Sequence, residues 1–264
     1  MSQNNIIIME FSTTQISAFR IACEVIDNLV HDVNLEVSAD GIKIRETDPN
    51  SKLFLSVWFA GGNFDLYNYL CDCPTGKFDV GIDIGNIVSS LTQRLKYDVL
   101  RFKVYSDFSI RLELESYKRD EVKTVKLKKV EALPFTDYSD ILPVVYSHSV
   151  TLSTELFSKY CKDIIRTSQG LLLKLNKNKL VISKEDESLE YSINGKTKHN
   201  LQIILQPDNK TPNDFVSSML PSKYFSILSK LSNISELVSI MIGGNPTLIK
   251  YNLGSLGELK LVLF

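Results

Sequence analysis

The side chains best suited to metal or redox chemistry are spaced in a way that argues against a metal centre. Cys71 and Cys73 form a Cys-x-Cys pair, but a metal site needs about two further ligands nearby. None of His31, His148 and His199 has a second histidine or a cysteine at ligand spacing. We therefore predict no metal site and no cofactor. We interpret Cys71 and Cys73 as free, reduced thiols at the end of a strand, because the N-terminus lacks the features of a signal peptide.

Catalytic signatures are also missing from the sequence. It contains no G-x-S-x-G, H-E-x-x-H or G-x-x-x-x-G-K-[ST] motif, so the usual nucleophile, zinc and phosphate-loop chemistries have no sequence support. The glycine pairs 61–62 and 243–244 do not open a helix after a strand and are predicted to be turns. Four carboxylates that could act as acids or bases are not grouped with any histidine: Asp83, Asp107, Asp137 and Asp140. The sequence therefore predicts a protein that is not an enzyme.

The composition leaves the class of binding partner open. The 264 residues include 30 Lys and Arg against 31 Asp and Glu, for a net charge of −1. This balance does not indicate a nucleic-acid binder, and no run approaches the roughly 18 apolar residues of a membrane helix. Any site for an anionic partner must therefore be found from the positions of the charges and not from their total.

The elements that would position such charges follow an α+β pattern. Most segments alternate apolar and polar residues with a period of two, which is typical of strands. Four segments instead show helical spacing and are predicted to be short helices. They are residues 16–30, 84–95, 154–166 and 222–231.

The two halves of the chain match each other. Cys23 and Cys161 each lie four residues after a phenylalanine, in the first and third predicted helices. The same steps onward lead to Leu35 and Ile42 in the first half, and to Leu173 and Leu180 in the second. Helix, strand, turn and strand therefore repeat with an offset of 138 residues, which indicates an internal duplication.

A connector separates the two halves. Residues 130–147 contain two prolines, several acidic residues and no clear period, as expected of an extended segment. We predict an N-terminal domain over 1–129 and a C-terminal domain over 148–264. The connector's apolar residues Ile141 and Leu142 have two compatible interpretations: they fix it to a domain surface, or they form one wall of a peptide groove.

Several segments resemble the eukaryotic and archaeal sliding clamps, the proliferating cell nuclear antigen family. The resemblance covers essentially the whole chain and rests on the order of five segments, none of which is specific by itself. They are Asp40–Asn50, Phe157–Asp163, Lys223–Phe225 with Lys230 following, Pro246–Tyr251 and Leu256–Lys260. The resemblance implies a DNA-clamp fold of two tandem similar domains, each with two short helices on antiparallel sheets, and subunits that form a ring.

The resemblance also implies a basic channel around duplex DNA, which needs positive charge toward the phosphates and no base contacts. Lys159, Lys162 and Arg166 are three and four residues apart and form one stripe on a helix; a solvated helix face is the alternative interpretation. Glu24 and Asp27 depart from the family pattern by placing acids on the first helix. The predicted DNA-contacting residues are Arg20, Arg94, Lys96, Lys159, Lys162, Arg166, Lys223 and Lys230.

Two further sites are implied by the resemblance. A groove for a partner's peptide motif would involve Thr47, Ile141, Leu142, Pro143, Pro246, Val262 and Phe264. Subunits would pair through edge strands at 108–114 and 189–193. The residues expected at this subunit interface are Ile110, Leu112, Leu114, Leu189, Tyr191 and Ile193.

The expected function is that of a sliding clamp and processivity factor. Its partners would be double-stranded DNA without sequence preference, a DNA polymerase and other proteins carrying a clamp-binding motif, with a clamp loader as a further candidate. We expect a homotrimer with no membrane association, in the nucleus or at a cytoplasmic replication site if the protein is viral. Two alternatives remain: a checkpoint-type clamp subunit with non-identical partners, and a clamp-derived viral transcription factor that does not close a homotrimeric ring.

Overall fold

A computed structural model describes most of the chain. The described residues are 6–50, 52–92, 97–131, 146–165, 170–176, 179–184, 187–192, 202–205, 215–243 and 246–264. Among them, no helix is both long and apolar enough to cross a membrane. The α+β prediction is confirmed, since short helices accompany extensive antiparallel sheets.

Residues 7–127 form the first repeat, with nine strands and two helices. The apolar residues of α1 recur at helical spacing because they form its buried face: Ile16, Phe19, Cys23 and Ile26 are all buried. The elements are β1 (Ile7–Thr13), α1 (Ile16–Leu29), β2 (Asp32–Ser38), β3 (Gly41–Thr47), β4 (Leu53–Ala60), β5 (Leu66–Tyr69), β6 (Lys77–Asp83), α2 (Ile84–Ser90), β7 (Val99–Tyr105), β8 (Ile110–Ser116) and β9 (Glu121–Leu127), with a 3₁₀ turn at Gly61–Asn63.

Residues 148–263 form the second repeat, with the same sequence of elements. The fourth predicted helix ends as α4 at Leu228 and continues as a 3₁₀ turn at Ser229–Asn233. The elements are β10 (His148–Ser153), α3 (Thr154–Ile165), β11 (Gly170–Leu175), β12 (Lys179–Lys184), β13 (Glu187–Ser192), β14 (Gln202–Leu205), β15 (Val216–Pro221), α4 (Ser222–Leu228), β16 (Leu237–Ile242), β17 (Thr247–Asn252) and β18 (Gly257–Leu263).

The strand orders of the two repeats are equivalent. In the first repeat, one run of strands is β5-β1-β7-β8-β9 and the other is β4-β3-β2-β6. In the second, the corresponding runs are β14-β10-β16-β17-β18 and β13-β12-β11-β15. Register agrees as well, because Val37 pairs with Ile42 while Leu175 pairs with Leu180, each residue displaced by 138. The duplication inferred from apolar spacing is therefore confirmed.

The chain divides into two compact units that exchange short segments. Unit 1 comprises Met1–Glu46, Ser56–Phe135 and Leu253–Glu258, while unit 2 comprises Thr47–Leu55, Thr136–Asn252 and Leu259–Phe264. Part of β4 is therefore counted with the second repeat, and the start of β18 with the first. The predicted domain limits at 129 and 148 stay a prediction.

The buried core of unit 1 is rich in aromatic side chains. The ring of Phe11 lies 5.5 Å from Phe19, 4.3 Å from Phe64 and 5.1 Å from Phe102, measured between ring centroids. Burial of such large side chains provides the main favourable free energy of folding. The helix α1 thus packs its apolar face on the sheet and leaves its other face for solvent.

The expectation of free thiols at Cys71 and Cys73 is wrong. These residues follow β5, and the structure joins them by a disulfide, with their Cα atoms 5.4 Å apart. Both lie beyond the end of β5 at Tyr69, in the segment that leads to β6. Cys23 and Cys161 are unbonded and buried, as their helical spacing predicted.

Candidate nucleic-acid interface

Helix α3 presents exposed positive charge. Phe157, Ser158 and Cys161 are buried on one face, and the Ser158 hydroxyl donates to the backbone oxygen of Ser229 (3.1 Å). Lys159 and Lys162 are exposed and three residues apart, so they share the solvent face of the helix. Two ammonium groups on flexible stems are suited to phosphate oxygens, and phosphate contacts carry no sequence information.

The predicted channel residue Lys223, in α4, contacts an acidic partner. Its Nζ donates to Asp48 Oδ2 (3.3 Å) and lies 4.5 Å from the ring centroid of Tyr224. Hydrogen bonds to Tyr224 and Asp48 raise the pKa of Lys223. The charge of Lys223 is thus partly neutralised within unit 2, which reduces its value as a phosphate contact.

Asp48 is the centre of that network. It is 4% exposed and accepts hydrogen bonds from the backbone N–H groups of Lys52 (2.7 Å) and Leu53 (3.0 Å) and from the Tyr224 hydroxyl (3.0 Å). Burial alone would raise the pKa of Asp48, but these donors and Lys223 lower it below its usual value. Asp48 therefore fixes the segment Thr47–Leu55 within unit 2.

Helix α1 presents paired charge instead of free positive charge. Arg20 Nη1 lies 3.3 Å from Glu24 Oε2, and both side chains are about one quarter exposed or less. One turn later, His31 Nδ1 lies 3.0 Å from Asp27 Oδ1. The hydrogen bond to Asp27 raises the pKa of His31. The predicted DNA contact at Arg20 is thus held by a neighbouring carboxylate.

Of the remaining predicted DNA contacts, one is half-buried and three lie outside the described residues. Lys230 is half-buried in the 3₁₀ turn after α4. Arg94, Lys96 and Arg166 lie outside the described residues. Lys159 and Lys162 are therefore the two predicted contacts that the structure places as exposed cations on one helix face.

Of the residues predicted to line the peptide groove, one is exposed and two are half-buried. Phe264 is 43% exposed, and its backbone N–H donates to Lys52 O (3.1 Å) within unit 2. Thr47 and Pro246 are half-buried. Val262 was expected to line the groove, but it is fully buried against Phe54, so that expectation is wrong. Ile141, Leu142 and Pro143 lie outside the described residues.

The predicted edge strand at 108–114 is also wrong. Strand β8 pairs with β7 on one side and β9 on the other, and Ile110, Leu112 and Leu114 are each 0% exposed. The alternation of apolar and polar residues in this strand results from burial in the core. A sequence cannot distinguish this pattern from burial at a subunit contact. Within the described residues β9 lies at one end of its five-stranded sheet and β5 at the other. The exposed Glu121, Val122, Thr124 and Lys126 of β9 could have suggested its position.

Strand β13 is terminal in its own sheet as far as the structure describes it. Its backbone pairs with β12, with Leu189 opposite Ile182 and Tyr191 opposite Leu180. Ile193 lies outside the described residues. An unpaired strand edge carries free backbone donors and acceptors, so β9 and β13 are two of the six terminal strands among the described residues that could pair with another chain, beside β5, β6, β14 and β15.

Metal binding has no built site in the described part of the chain, and the two buried cysteines are unreactive. No group of three or more His, Cys, Asp or Glu side chains there could hold a metal ion. Burial raises the pKa of the Cys23 and Cys161 thiols well above the ordinary value, which keeps them in the unreactive protonated form.

The described residues form two tandem repeats, each with nine strands and two helices, and this architecture has counterparts among solved structures. Solved structures agree: the PCNA2-PCNA3 complex from Sulfolobus tokodaii matches with a TM-score of 0.79 at 19% identity, covering 96% of this chain and 98% of that one. Proliferating Cellular Nuclear Antigen from Entamoeba histolytica matches with a TM-score of 0.78 at 17% identity, covering 98% of both chains. The predicted clamp fold is confirmed.

Sequence comparison points to the same proteins. The chain is 21% identical over 257 residues to proliferating cell nuclear antigen of Chaetomium thermophilum, covering 97% of this chain and 96% of that protein. It is 20% identical over 274 residues to a probable DNA polymerase sliding clamp of Paramecium bursaria Chlorella virus 1, covering 100% and 98%. No protein-family model matches the sequence. The chain is thus similar over its full length to proliferating cell nuclear antigen and to a viral sliding clamp, at a sequence identity of 20–21%. This similarity confirms the resemblance.

Proposed function

We propose that this protein is a DNA sliding clamp that encircles duplex DNA and tethers a DNA polymerase. The observation that carries the proposal is the full-length duplicated architecture, which is similar in both sequence and fold to proteins named as clamps. The protein acts by topology and not by catalysis. Its site of action is a site of DNA replication, in the nucleus or, for a virus, in the cytoplasm.

Lys159 and Lys162 supply the contact to DNA in this proposal. Both are exposed on the solvent face of α3, and ammonium groups attract phosphates without reading sequence. A few such contacts are weak and sensitive to salt, which permits sliding along the duplex. The ring supplies retention, so the DNA contacts do not have to be strong.

The ring is proposed to be a homotrimer closed by strand pairing. Strand β9 of one subunit would pair with β13 of the next, which replaces the interior strand β8 that the sequence suggested. Such a contact uses different surfaces on the two partners and closes into a ring when the rotation per subunit divides a full turn. Pairing also removes two exposed strand edges that would otherwise promote aggregation.

Partner proteins would bind a groove that includes Thr47, Pro246, Phe264 and the connector residues Ile141, Leu142 and Pro143. The exposed ring of Phe264 offers an apolar contact for an anchor residue of a short peptide. DNA polymerase and other proteins with a clamp-binding motif are the proposed occupants. A clamp loader is a further proposed partner.

Topological retention on DNA tests the function directly and needs no loader. The protein is incubated with a linear duplex biotinylated at both ends, streptavidin is added, and the complex is challenged with high salt. Because salt abolishes phosphate contacts, a threaded ring should remain on the blocked duplex and leave a duplex with open ends. Blocking the ends before adding the protein is the control. Equal loss from both duplexes would contradict a clamp.

A further inference from the structure

A basic cavity lies within unit 1, where the end of β9 meets the start of α2 and the turn that joins β7 to β8. Its volume is about 440 Å³, which is within the range of sites for small ligands. Lys126, Lys128 and Lys129 line it, and all three are exposed. Among the described residues that line the cavity, Asp107 alone is acidic, so three lysines against one carboxylate leave a net positive charge.

The end of β9 is held in place beside β6. Ile82 and Lys129 form an isolated antiparallel bridge. The next residue continues this contact, because the Val130 N–H donates to Gly81 O (3.1 Å). The backbone that carries the lysines is therefore fixed before any ligand arrives, which lowers the entropic cost of binding.

The turn between β7 and β8 orients one of the lysines. Phe108 has a φ of 58°, in the left-handed region that a bulky residue rarely adopts. Its ring centroid lies 5.9 Å from that of Phe78 and 5.2 Å from Lys129 Nζ. A cation–π contact of this kind positions an ammonium group without neutralising its charge. Lys129 therefore keeps its charge at the cavity.

Lys126 lies in a row of like charges. It is directly opposite Arg111 in the β8–β9 ladder, and Arg111 is opposite Lys103 in the β7–β8 ladder. Like charges placed opposite each other destabilise a sheet. The neighbouring acids Glu10 and Glu113 pair with Lys103 (3.7 and 2.7 Å), and no described carboxylate pairs with Lys126. An anion bound beside Lys126 would relieve this repulsion.

The cavity also offers neutral hydrogen-bond donors. Ser89 and Ser90 donate to the backbone oxygen of Asn86 (3.1 and 2.6 Å), and its side-chain amide makes no hydrogen bond to a described residue. Asp107 Oδ1 accepts the backbone N–H of Ser109 (2.9 Å), so this carboxylate is engaged within its own turn. The amide of Asn86 and the hydroxyl of Ser109 can both donate to the oxygens of an anion.

The lining favours phosphate groups over a peptide. Ammonium groups act as compact point charges toward phosphate oxygens, whereas the planar guanidinium of arginine is the better match for a carboxylate. No arginine is among the described residues that line the cavity. Leu127 is the one apolar residue among them, and it is buried. The cavity therefore offers no contact for an apolar anchor residue.

We propose that this cavity binds a row of adjacent phosphate groups, as in an oligophosphate chain. The phosphates would lie against Lys126, Lys128 and Lys129 and would accept hydrogen bonds from Asn86 and Ser109. The site uses no residue of α3, and the proposal does not rest on the ring. Adjacent phosphates occur in free oligophosphates and in a nucleic-acid strand, and the two sources can be distinguished by competition.

Calorimetric titration of the full chain with sodium tripolyphosphate at low salt tests the site. We expect saturable binding that Lys126→Gln/Lys128→Gln weakens by about 100-fold, or about tenfold for each lost contact between an ammonium group and a phosphate. The matched control Lys52→Gln/Lys118→Gln removes the same charge from two exposed lysines that do not line the cavity. It should weaken binding by less than about twofold. Thermal melts establish that each variant is folded.

Competition with a single-stranded oligothymidylate identifies the source of the phosphates. Displacement of tripolyphosphate by this strand assigns the cavity to a nucleic-acid backbone, and retention of tripolyphosphate assigns it to a free oligophosphate. Either result supports the site. Lys159→Gln/Lys162→Gln should bind tripolyphosphate like wild type while its affinity for duplex DNA falls, which separates the cavity from the proposed contact on α3.

Three results overturn the proposal. The first is no binding of tripolyphosphate by wild type at millimolar concentration. The second is equal affinity in the cavity variant and the control variant, which would mean a general attraction to positive charge. The third is equally tight binding of citrate, which would assign the cavity to carboxylates. None of these results bears on the sliding clamp, which retention on the blocked duplex tests separately.

Discussion

Helices α1 and α3 occupy equivalent places in the two repeats but differ in the charged side chains at equivalent positions. Glu24 of α1 and Lys162 of α3 are separated by the repeat offset of 138 residues. Glu24 pairs with Arg20 (3.3 Å) and neutralises it, whereas Lys162 and Lys159 are exposed. The buried faces of both helices remain apolar. The duplication has therefore kept the packing and let the solvent faces diverge, so DNA contact should be concentrated in the second repeat.

Helices α2 and α4 show a related difference. Gly85 is the residue of α2 that corresponds to Lys223 of α4. Lys223 adds a positive charge to the second repeat, but Asp48 holds it (3.3 Å). At Gly85 an added Cβ would instead meet the carboxylates of Asp83 (3.1 Å) and Asp27 (3.2 Å). The first repeat thus has only acidic side chains near this position, whereas the second has an ion pair between Lys223 and Asp48.

Reversal of the α3 charges should have the largest effect on DNA. Lys159→Glu/Lys162→Glu should lower affinity for duplex DNA about 100-fold at low salt, because two phosphate contacts become two repulsions. The slope of log K against log salt should become shallower by about two. Fluorescence anisotropy at several salt concentrations measures both. The exposed control pair Lys52→Glu/Lys118→Glu should change affinity far less; equal losses would mean that α3 is not the contact.

Removal of the Asp48 carboxylate should separate stability from DNA contact. Asp48→Asn should lower the free energy of unfolding by about 3 kcal/mol, because a buried acceptor of four donors loses its charge. The same change releases Lys223, so the affinity for DNA should rise or stay constant. Urea unfolding and anisotropy measure the two effects, and Tyr224→Phe should cost about 1 kcal/mol.

The effect of Asp48 should depend on pH in one direction. Its pKa is lowered in the folded state, so its contribution is present above the unfolded value of 3.8 and is lost as pH falls through the folded pKa. Wild type and Asp48→Asn should therefore converge in stability as pH falls through the folded pKa of Asp48, which lies below 3.8. A gap in stability that persists in acid would show that the carboxylate charge is not the cause.

A positive charge on α1 should make the two repeats more alike. Glu24→Lys removes the partner of Arg20 and adds a cation, so we expect affinity for DNA to rise about fivefold at low salt. Glu24→Gln, which only releases Arg20, should give about a twofold rise. Unchanged affinity in both variants would place α1 away from the DNA path.

The smallest expected effect comes from His31 at the end of α1. The hydrogen bond to Asp27 raises its pKa, so the imidazolium is favoured in the folded state and its contribution is present below 6.5 and lost as pH rises through the folded pKa. Affinity for DNA should rise about twofold more between pH 8 and pH 6 for wild type than for His31→Gln. Identical pH profiles would exclude a contribution from this residue.

The sequence predicted the elements whose periodicity is strong. Cys23 and Cys161, with the apolar positions that follow each, established the repeat because buried faces must recur at 3.6 or two residues. The clamp resemblance followed from the order of segments such as Pro246–Tyr251. These features depend on the spacing of residues that are close in sequence, so the sequence alone reveals them.

The sequence could not rank the strands within a sheet. Ile110, Leu112 and Leu114 alternate as an edge strand facing a subunit would, yet β8 lies between β7 and β9. The charges behaved differently: the pair of Arg20 with Glu24 lies at i,i+4 on one helix and could be read from spacing. The carboxylate partner of Lys223, Asp48, appears only in three dimensions. Asp48 is 175 residues from Lys223 in the chain, beyond any pattern of local spacing.

The sequence by itself determined the α+β class, the internal duplication, the apolar faces of the helices and the similarity to clamps. Tertiary structure alone decided which strand edges are unpaired, which lysines are neutralised and where a basic cavity lies. The physical reason is range. Burial imposes a short period on neighbouring residues, whereas strand order and ion pairing join residues that are far apart in sequence and have no periodic relation.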